Sequence, residues 1–273
     1  MQEHEQHEHD RGLSYDLPVL ARRRMIRLMA GAGLIPLAGC SAGTDEGTSA
    51  ASSSPGTASA PDAACVTVPE ETAGPYPGDG SNGVNVLKES GVVRSDITSS
   101  FGDSAGGTAE GMPLTVTLTV VDAASGCGTP KQGAAVYLWH CDRAGGYSLY
   151  TEGVTEENYL RGVQEADERG RVTFTSIFPG CYTGRWPHIH FEVYGGLADA
   201  TAATAITNTS QLAFPKEVCD TVYATEGYEQ SVTNLGRLSL ETDGIFRDGY
   251  EHQLAAVEGS VEKGYTATLT VAV

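Results

Sequence analysis

Positive charge is scarce in this chain of 273 residues: 17 Lys and Arg stand against 35 Asp and Glu, for a formal net charge of −18. A phosphate backbone recruits a dense field of Lys and Arg, so this balance excludes nucleic acid as a partner. It argues equally against docking on an anionic membrane surface. Apolar length is lacking as well. The run Leu28 to Gly39 holds only about a dozen residues, where a bilayer span takes about twenty. Sustained helical periodicity is thin, with Ser231 to Leu240 and Glu251 to Val257 as the candidate short turns, which excludes a helical bundle. No internal repeat is visible, and none of the cysteine spacings is that of a zinc knuckle.

What is present begins with an export signature. Arg22-Arg23-Arg24-Met25-Ile26-Arg27 precedes the short apolar run, which ends Leu37-Ala38-Gly39-Cys40. Positive flank, short apolar stretch and small residues make a signal peptide, with Arg22-Arg23 as a twin-arginine pair. The final four residues resemble a lipobox, so Cys40 is the expected site of cleavage and lipidation. Residues 1–40 therefore read as a twin-arginine-like lipoprotein signal, and the product as an exported cell-surface lipoprotein or extracellular protein. The tract with His4, His7 and His9 would be discarded with it. Glu3, Glu5, Glu8, Asp10 and Asp16 balance Arg11, Arg22, Arg23, Arg24 and Arg27, so the net −18 falls on the residues after Cys40. Residues 41–63 are Ser, Ala, Gly, Thr and Pro with little apolar surface, a flexible tether.

From residue 64 to 273 the texture is that of one domain. Leu114 to Val120 alternates apolar and polar residues at period two, as a strand with one buried face does. Ala135 to Trp139, Arg171 to Thr175, His188 to Tyr194 and Tyr265 to Val271 read likewise, and many of the 34 glycines supply turns between them. The expectation is an all-β sandwich of mixed and antiparallel strands, with long functional loops and little helix. With Cys40 lipidated, Cys65, Cys127, Cys141, Cys181 and Cys219 remain; outside the cytoplasm some of them pair, and an odd number leaves at least one thiol. Their connectivity is open.

Chemistry concentrates in two stretches. On a strand, His188 and His190 point to the same face, so both imidazoles can reach one metal while Ile189 faces the core. Just upstream, a turn-rich loop from Phe178 to Pro187 delivers Tyr182 and Arg185. Further back, Trp139 to Tyr147 runs a strand into a glycine turn that ends on a tyrosine, with Tyr150 as a rival. Phenolate and imidazole suit iron, and hard anionic oxygens favour the ferric state.

Taken in order, these segments resemble the intradiol ring-cleavage dioxygenases, and most closely their secreted single-chain members. The resemblance rests on Trp139 with seven residues before Tyr147, on Pro179-Gly180-Cys181-Tyr182, and on Arg185-Trp186-Pro187-His188-Ile189-His190-Phe191. It extends to Glu71-Thr72-Ala73-Gly74-Pro75-Tyr76 and to Gln211 within Thr209-Ser210-Gln211-Leu212, and runs from about Cys65 to the C-terminus.

The resemblance implies one non-haem Fe(3+) held by Tyr147, Tyr182, His188 and His190. It implies a catecholic substrate and O2, and ring opening between the two hydroxyls to a cis,cis-muconate-type diacid. Two phenolates and a hydroxide would match the 3+ charge, and a chelating catecholate would displace the hydroxide and Tyr182. Arg185 would steady the carbanionic ring, Gln211 would hydrogen-bond near the oxygen site, and Gly74, Pro75 and Tyr76 would wall the pocket. Trp139, His140 and His252 read as structural. The residue pattern by itself leaves a second reading, a metal- or aromatic-binding β-sandwich lipoprotein without turnover. Cys181 departs from the family pattern: bridged to Cys141 or Cys127, it would restrain Tyr182. The particular catechol and the oligomeric state have no signature in the sequence.

Overall fold

The computed structural model describes residues 65–273. The export signal, Cys40 and the tether lie outside the described residues. Among those described, no helix is long and apolar enough to cross a membrane.

Among the described residues, eight strands form two four-stranded sheets: β1 (Pro113–Val121), β2 (Ala135–Trp139), β3 (Arg161–Glu165), β4 (Arg171–Ile177), β5 (His188–Tyr194), β6 (Ile206–Ala213), β7 (Ala256–Ser260) and β8 (Gly264–Ala272). The first sheet has the order β4-β1-β8-β7, and its β1–β8 pair is parallel. The second, β3-β2-β5-β6, is antiparallel throughout. Short helices α1 (Leu197–Ala202), α2 (Lys216–Tyr223) and α3 (Glu229–Leu235) fill the connections. The protein is the all-β sandwich that its period-two strands predict, with one parallel pair making it mixed.

The alternation in β1 works as expected. Leu114, Val116, Leu118 and Val120 are buried while Thr115, Thr117 and Thr119 sit toward solvent. Their apolar face meets Val136, Leu138, Ile189, Phe191 and Val193 of the second sheet in one core, where each large side chain contributes roughly 2 kcal/mol of transfer free energy.

The second sheet is different, because β2 and β5 are buried on both faces. Their other face carries Tyr137 and Trp139 from β2 and His188, His190, Glu192 and Tyr194 from β5. A second apolar cluster covers part of it, with Tyr76, Val86, Leu87 and Val92 from the N-terminal segment, Tyr147, and Ala200 of α1. The histidines thus lie on the face turned away from the sandwich core, where a polar cluster can be built without opening that core.

Three details go beyond the sequence reading. Ser231 to Leu240 holds α3, but Glu251 to Val257 passes from a turn into β7. The stretch after Tyr194, which has no clear register in sequence, contains α1 and all of β6. And Cys65 pairs with Cys127, Cα atoms 5.6 Å apart, leaving Cys141, Cys181 and Cys219 as buried free thiols.

Candidate metal centre

Two loops and one strand converge. In β5 the register pairs Trp139 with His190 across to β2, and Gln211 with His190 across to β6. The Trp139 and His190 rings stack, centroids 4.9 Å apart and 6° from parallel, which fixes the imidazole plane. Trp139 is therefore a wall behind a histidine, fully buried. The His188 Nδ1–H donates to the Trp186 carbonyl at 2.5 Å, so its Nε2 carries a lone pair. That Nε2 lies 3.0 Å from His190 Nε2 and 3.2 Å from the Tyr182 hydroxyl.

Tyr147 arrives on the turn after β2. Asp142 shapes it by accepting from the Ala144 and Gly146 amides. Gly145, at φ +88°, is required there, because a Cβ would stand 3.1 Å from Tyr182 Cβ; the missing side chain lets the two tyrosine loops touch. The Tyr182 loop is pinned from below by α3: the Cys181 amide donates to Ser231 Oγ, and Asn234 Nδ2 donates to the Cys181 carbonyl. The Tyr147 and Tyr182 rings meet edge to face at 5.8 Å. Tyr147 is buried, whereas Tyr182 is half-buried and borders a cleft of about 560 Å³.

Burial dominates the electrostatics. It pushes His188 and His190 well below the usual histidine range, with the charge of Arg185 adding to the effect at both and that of His188 adding at His190, so both are neutral. It pushes Tyr147 well above the usual phenol range, and the neighbouring Tyr182 adds to this. The Tyr147 hydroxyl and His190 Nδ1 have no well-formed hydrogen bond among the described residues.

Arg185 and Gln211 meet beside this group. An Arg185 Nη2–H donates to Gln211 Oε1 at 2.6 Å, and Gln211 Nε2 donates to the Thr72 carbonyl. Strand pairing puts Gln211 directly opposite His190. The Gly74-Pro75-Tyr76 segment crosses over the site: a Cβ on Gly74 would be 3.4 Å from His190 Cε1, and the Tyr76 ring lies 4.9 Å from that of Tyr147.

The other candidates have partners or surroundings of their own. The Tyr150 hydroxyl accepts from the Gly78 amide and donates to Asn82. His140 bonds Ser176 and the Cys141 carbonyl, buried, and His252 is exposed. Cys181 is unbridged; its thiol reaches the Arg185 carbonyl, and burial pushes it up to about 12. A disulfide restraint on Tyr182 is thereby removed.

Two buried charges escape sequence reasoning. Asp243 sits in a Thr242-Asp243-Gly244 turn without motif character, yet its Oδ2 accepts from Arg185 Nε at 3.1 Å and from the Trp186 amide at 2.7 Å. Arg161 opens β3. The signal available for Asp243 is indirect: a buried arginine calls for a carboxylate but does not say which.

With this arrangement in view, the relatives are informative. A family model described as Dioxygenase matches residues 93–228, a span that includes all four converging side chains. An intradiol ring-cleavage dioxygenase from Tetranychus urticae superposes with a TM-score of 0.59 at 27% identity, over 76% of this chain and 94% of that one. The chain belongs to the intradiol ring-cleavage dioxygenase family. A second solved dioxygenase matches this family member at 26% identity and a TM-score of 0.58, again over 76% and 94% of the two chains. The dioxygenase domain of a carbohydrate-binding fusion from Streptomyces sp. SirexAA-E is more distant, at 24% identity and a TM-score of 0.47 over 76% and 98%. No curated protein sequence matches.

Proposed function

We propose that this protein is an exported non-haem Fe(III) dioxygenase of the catechol 1,2- or protocatechuate 3,4-type, which opens catecholic rings between the two hydroxyls. The observation that carries the reading is the approach of the His188 and His190 Nε2 atoms to 3.0 Å beside the Tyr182 hydroxyl, with the Tyr147 ring 6.3 Å from that of His190. Neither tautomer of His190 satisfies its surroundings. With the proton on Nδ1, two lone pairs face each other; with it on Nε2, Nδ1 is a buried acceptor without a partner. A cation at this point resolves the conflict, and two phenols that can ionise suit a hard, trivalent one. Tyr147, Tyr182, His188 and His190 would hold the iron.

When bound, ferric iron supplies the Lewis acidity and redox capacity that make a catecholate reactive toward O2. The remaining work falls to the chain. Tyr147, fully buried and packed at a tilt against Tyr76, stays in place. Tyr182, half-buried and next to open space, is the side chain with room to swing out, and its phenolate oxygen would take up a substrate hydroxyl proton. Arg185, fixed by Asp243 on one edge and Gln211 on the other, presents its guanidinium to negative charge developing on the ring. The Gly74-Pro75-Tyr76 segment excludes water and confines the ring plane. The N-terminal signal assigns the enzyme to the cell surface through a lipid on Cys40.

Oxygen uptake over a panel of catechols, with the product identified, tests the activity. The expected product is a cis,cis-muconate-type diacid. No uptake by iron-loaded protein, or a ring opened outside the hydroxyl pair, overturns the reading; iron and substrate binding without uptake would mark a binding module instead. Cys40→Ala should move the protein from the membrane fraction to the soluble one, and unchanged partitioning would refute the anchor.

A further inference from the structure

Arg161 is 0% exposed, and among the described residues no carboxylate bonds to it. A guanidinium stays charged in any protein, so burying one without an anion is costly unless every N–H finds an oxygen. Here all five do. Nε donates to Ser148 Oγ at 3.1 Å, Nη1 to the Pro77 carbonyl at 2.8 Å and to the Tyr137 hydroxyl at 3.1 Å. Nη2 donates to the Tyr76 carbonyl at 2.9 Å and to the Ser148 carbonyl at 3.0 Å.

The choice of acceptors is informative. Four of the five bonds go to two short segments far apart in sequence, Tyr76-Pro77 and Ser148, the neighbour of Tyr147. Around this point the fit is close: a Cβ on Gly78 would come within 2.8 Å of Arg161 Nη1, so only glycine lets the segment descend onto the guanidinium. Tyr137 reinforces the join by donating to the same Pro77 carbonyl at 2.7 Å. A hydrophobic contact would hold the segments together but let them slide. A planar fork with five fixed directions sets their separation and angle.

We propose that Arg161 is a positioning residue that fastens the Tyr76-Pro77 segment to the Tyr147-Ser148 turn. It sets the gap between the wall of the substrate pocket and the Tyr147 phenol. The inference rests on the proposed function, in which Tyr147 holds iron and Tyr76 lines the pocket. It adds that substrate fit is governed from the far side of both residues, by a side chain that touches neither iron nor catechol.

The test uses Arg161→Met, which keeps apolar bulk and removes all five donors, and Arg161→Lys, which keeps charge without the fork. Hydrogen exchange is followed at the Gly78 amide, bonded to Tyr150, and at the Tyr147 amide, bonded to Thr151 Oγ1. The Ala267 amide in β8 of the other sheet serves as reference. In Arg161→Met both reporters should exchange at least about tenfold faster while Ala267 stays unchanged. In the same variant the KM for catechol should rise about tenfold with kcat changing less, and Arg161→Lys should recover only part of the loss. Unchanged reporters, or acceleration of all three amides together, would overturn the proposal. If Arg161→Met does not fold, Ser148→Ala and Tyr137→Phe decide it by the same readout: a rise confined to the reporters supports it, no rise or a uniform one refutes it. Should the wild-type protein cleave no catechol, the proposed function fails while the exchange measurement still decides the role of Arg161.

Discussion

Replacing Asp243 with asparagine is the sharpest perturbation available, because it changes one atom and one charge in a fully enclosed site. The carboxylate accepts four hydrogen bonds: Arg185 Nε and the Trp186 amide on Oδ2, the Ile245 and Phe246 amides on Oδ1. An asparagine must point its NH2 at one of these pairs, so two N–H donors face a third. Arg185, 1% exposed, also loses its counterion. Breaking a buried pair on one side costs about 3–5 kcal/mol, a large part of the roughly 5–15 kcal/mol by which a domain is stable. The Asp243→Asn protein should therefore melt roughly 10 °C or more below wild type, followed by circular dichroism. Catechol turnover at a permissive temperature should fall as well, since Arg185 is no longer fixed. Arg185→Met with Asp243→Leu, removing both charges, should be less destabilised than the two single changes summed, by on the order of 2 kcal/mol. A variant Asp243→Asn within about 1 kcal/mol of wild type would refute the account of how Arg185 is held.

Other outcomes come from the same geometry. Tyr147→Phe and His190→Ala should lose bound iron and the visible absorption of ferric tyrosinate; a variant that keeps full iron and colour removes that residue from the ligand set. Tyr182→Phe should slow the exchange of catechol onto the iron in stopped-flow measurements, and unchanged kinetics would contradict its part as the side chain that leaves. Burial holds His140 at about 4. The unfolded chain then binds a proton that the fold refuses between about pH 6.5 and 4, so this group's effect is absent above 6.5. Stability falls as pH drops through that window, by on the order of 3 kcal/mol. His140→Gln should flatten this part of the stability profile relative to wild type, and parallel profiles would refute it. Reducing the Cys65–Cys127 bridge, which spans 62 residues, should lower stability by up to about 4 kcal/mol in denaturant titration, and no loss would show the loop to be closed by packing alone.

Strands with one wet face were legible in the sequence: β1, β4 and β8 write their orientation as threonines alternating with apolar residues. β5, buried on both faces, was legible through its two histidines on one side. β6 was not, because Ile206 to Ala213 is largely polar and is nonetheless buried for most of its length by neighbours on both faces. Pattern methods read water exposure, and a polar strand under a polar cover gives them nothing. The four converging side chains were legible because their spacing is tied to local turns: Gly145 before Tyr147, Pro179-Gly180 before Tyr182. Asp243 and Arg161 were not, since each meets its partners through tertiary packing, Asp243 at 58 positions from Arg185 and Arg161 at 85 from Tyr76. The cysteine pairing was likewise settled by proximity in space.

The bridge between Cys65 and Cys127 has a mechanical consequence. Any pull on the chain from the N-terminal side of Cys65 passes through the sulfur bond into the residues beside β1, bypassing everything between. The segment that crosses the site, Gly74 to Pro77, lies inside that bypassed loop. A pull from that side would thus load the sheet, and the cover over the candidate metal centre would remain slack.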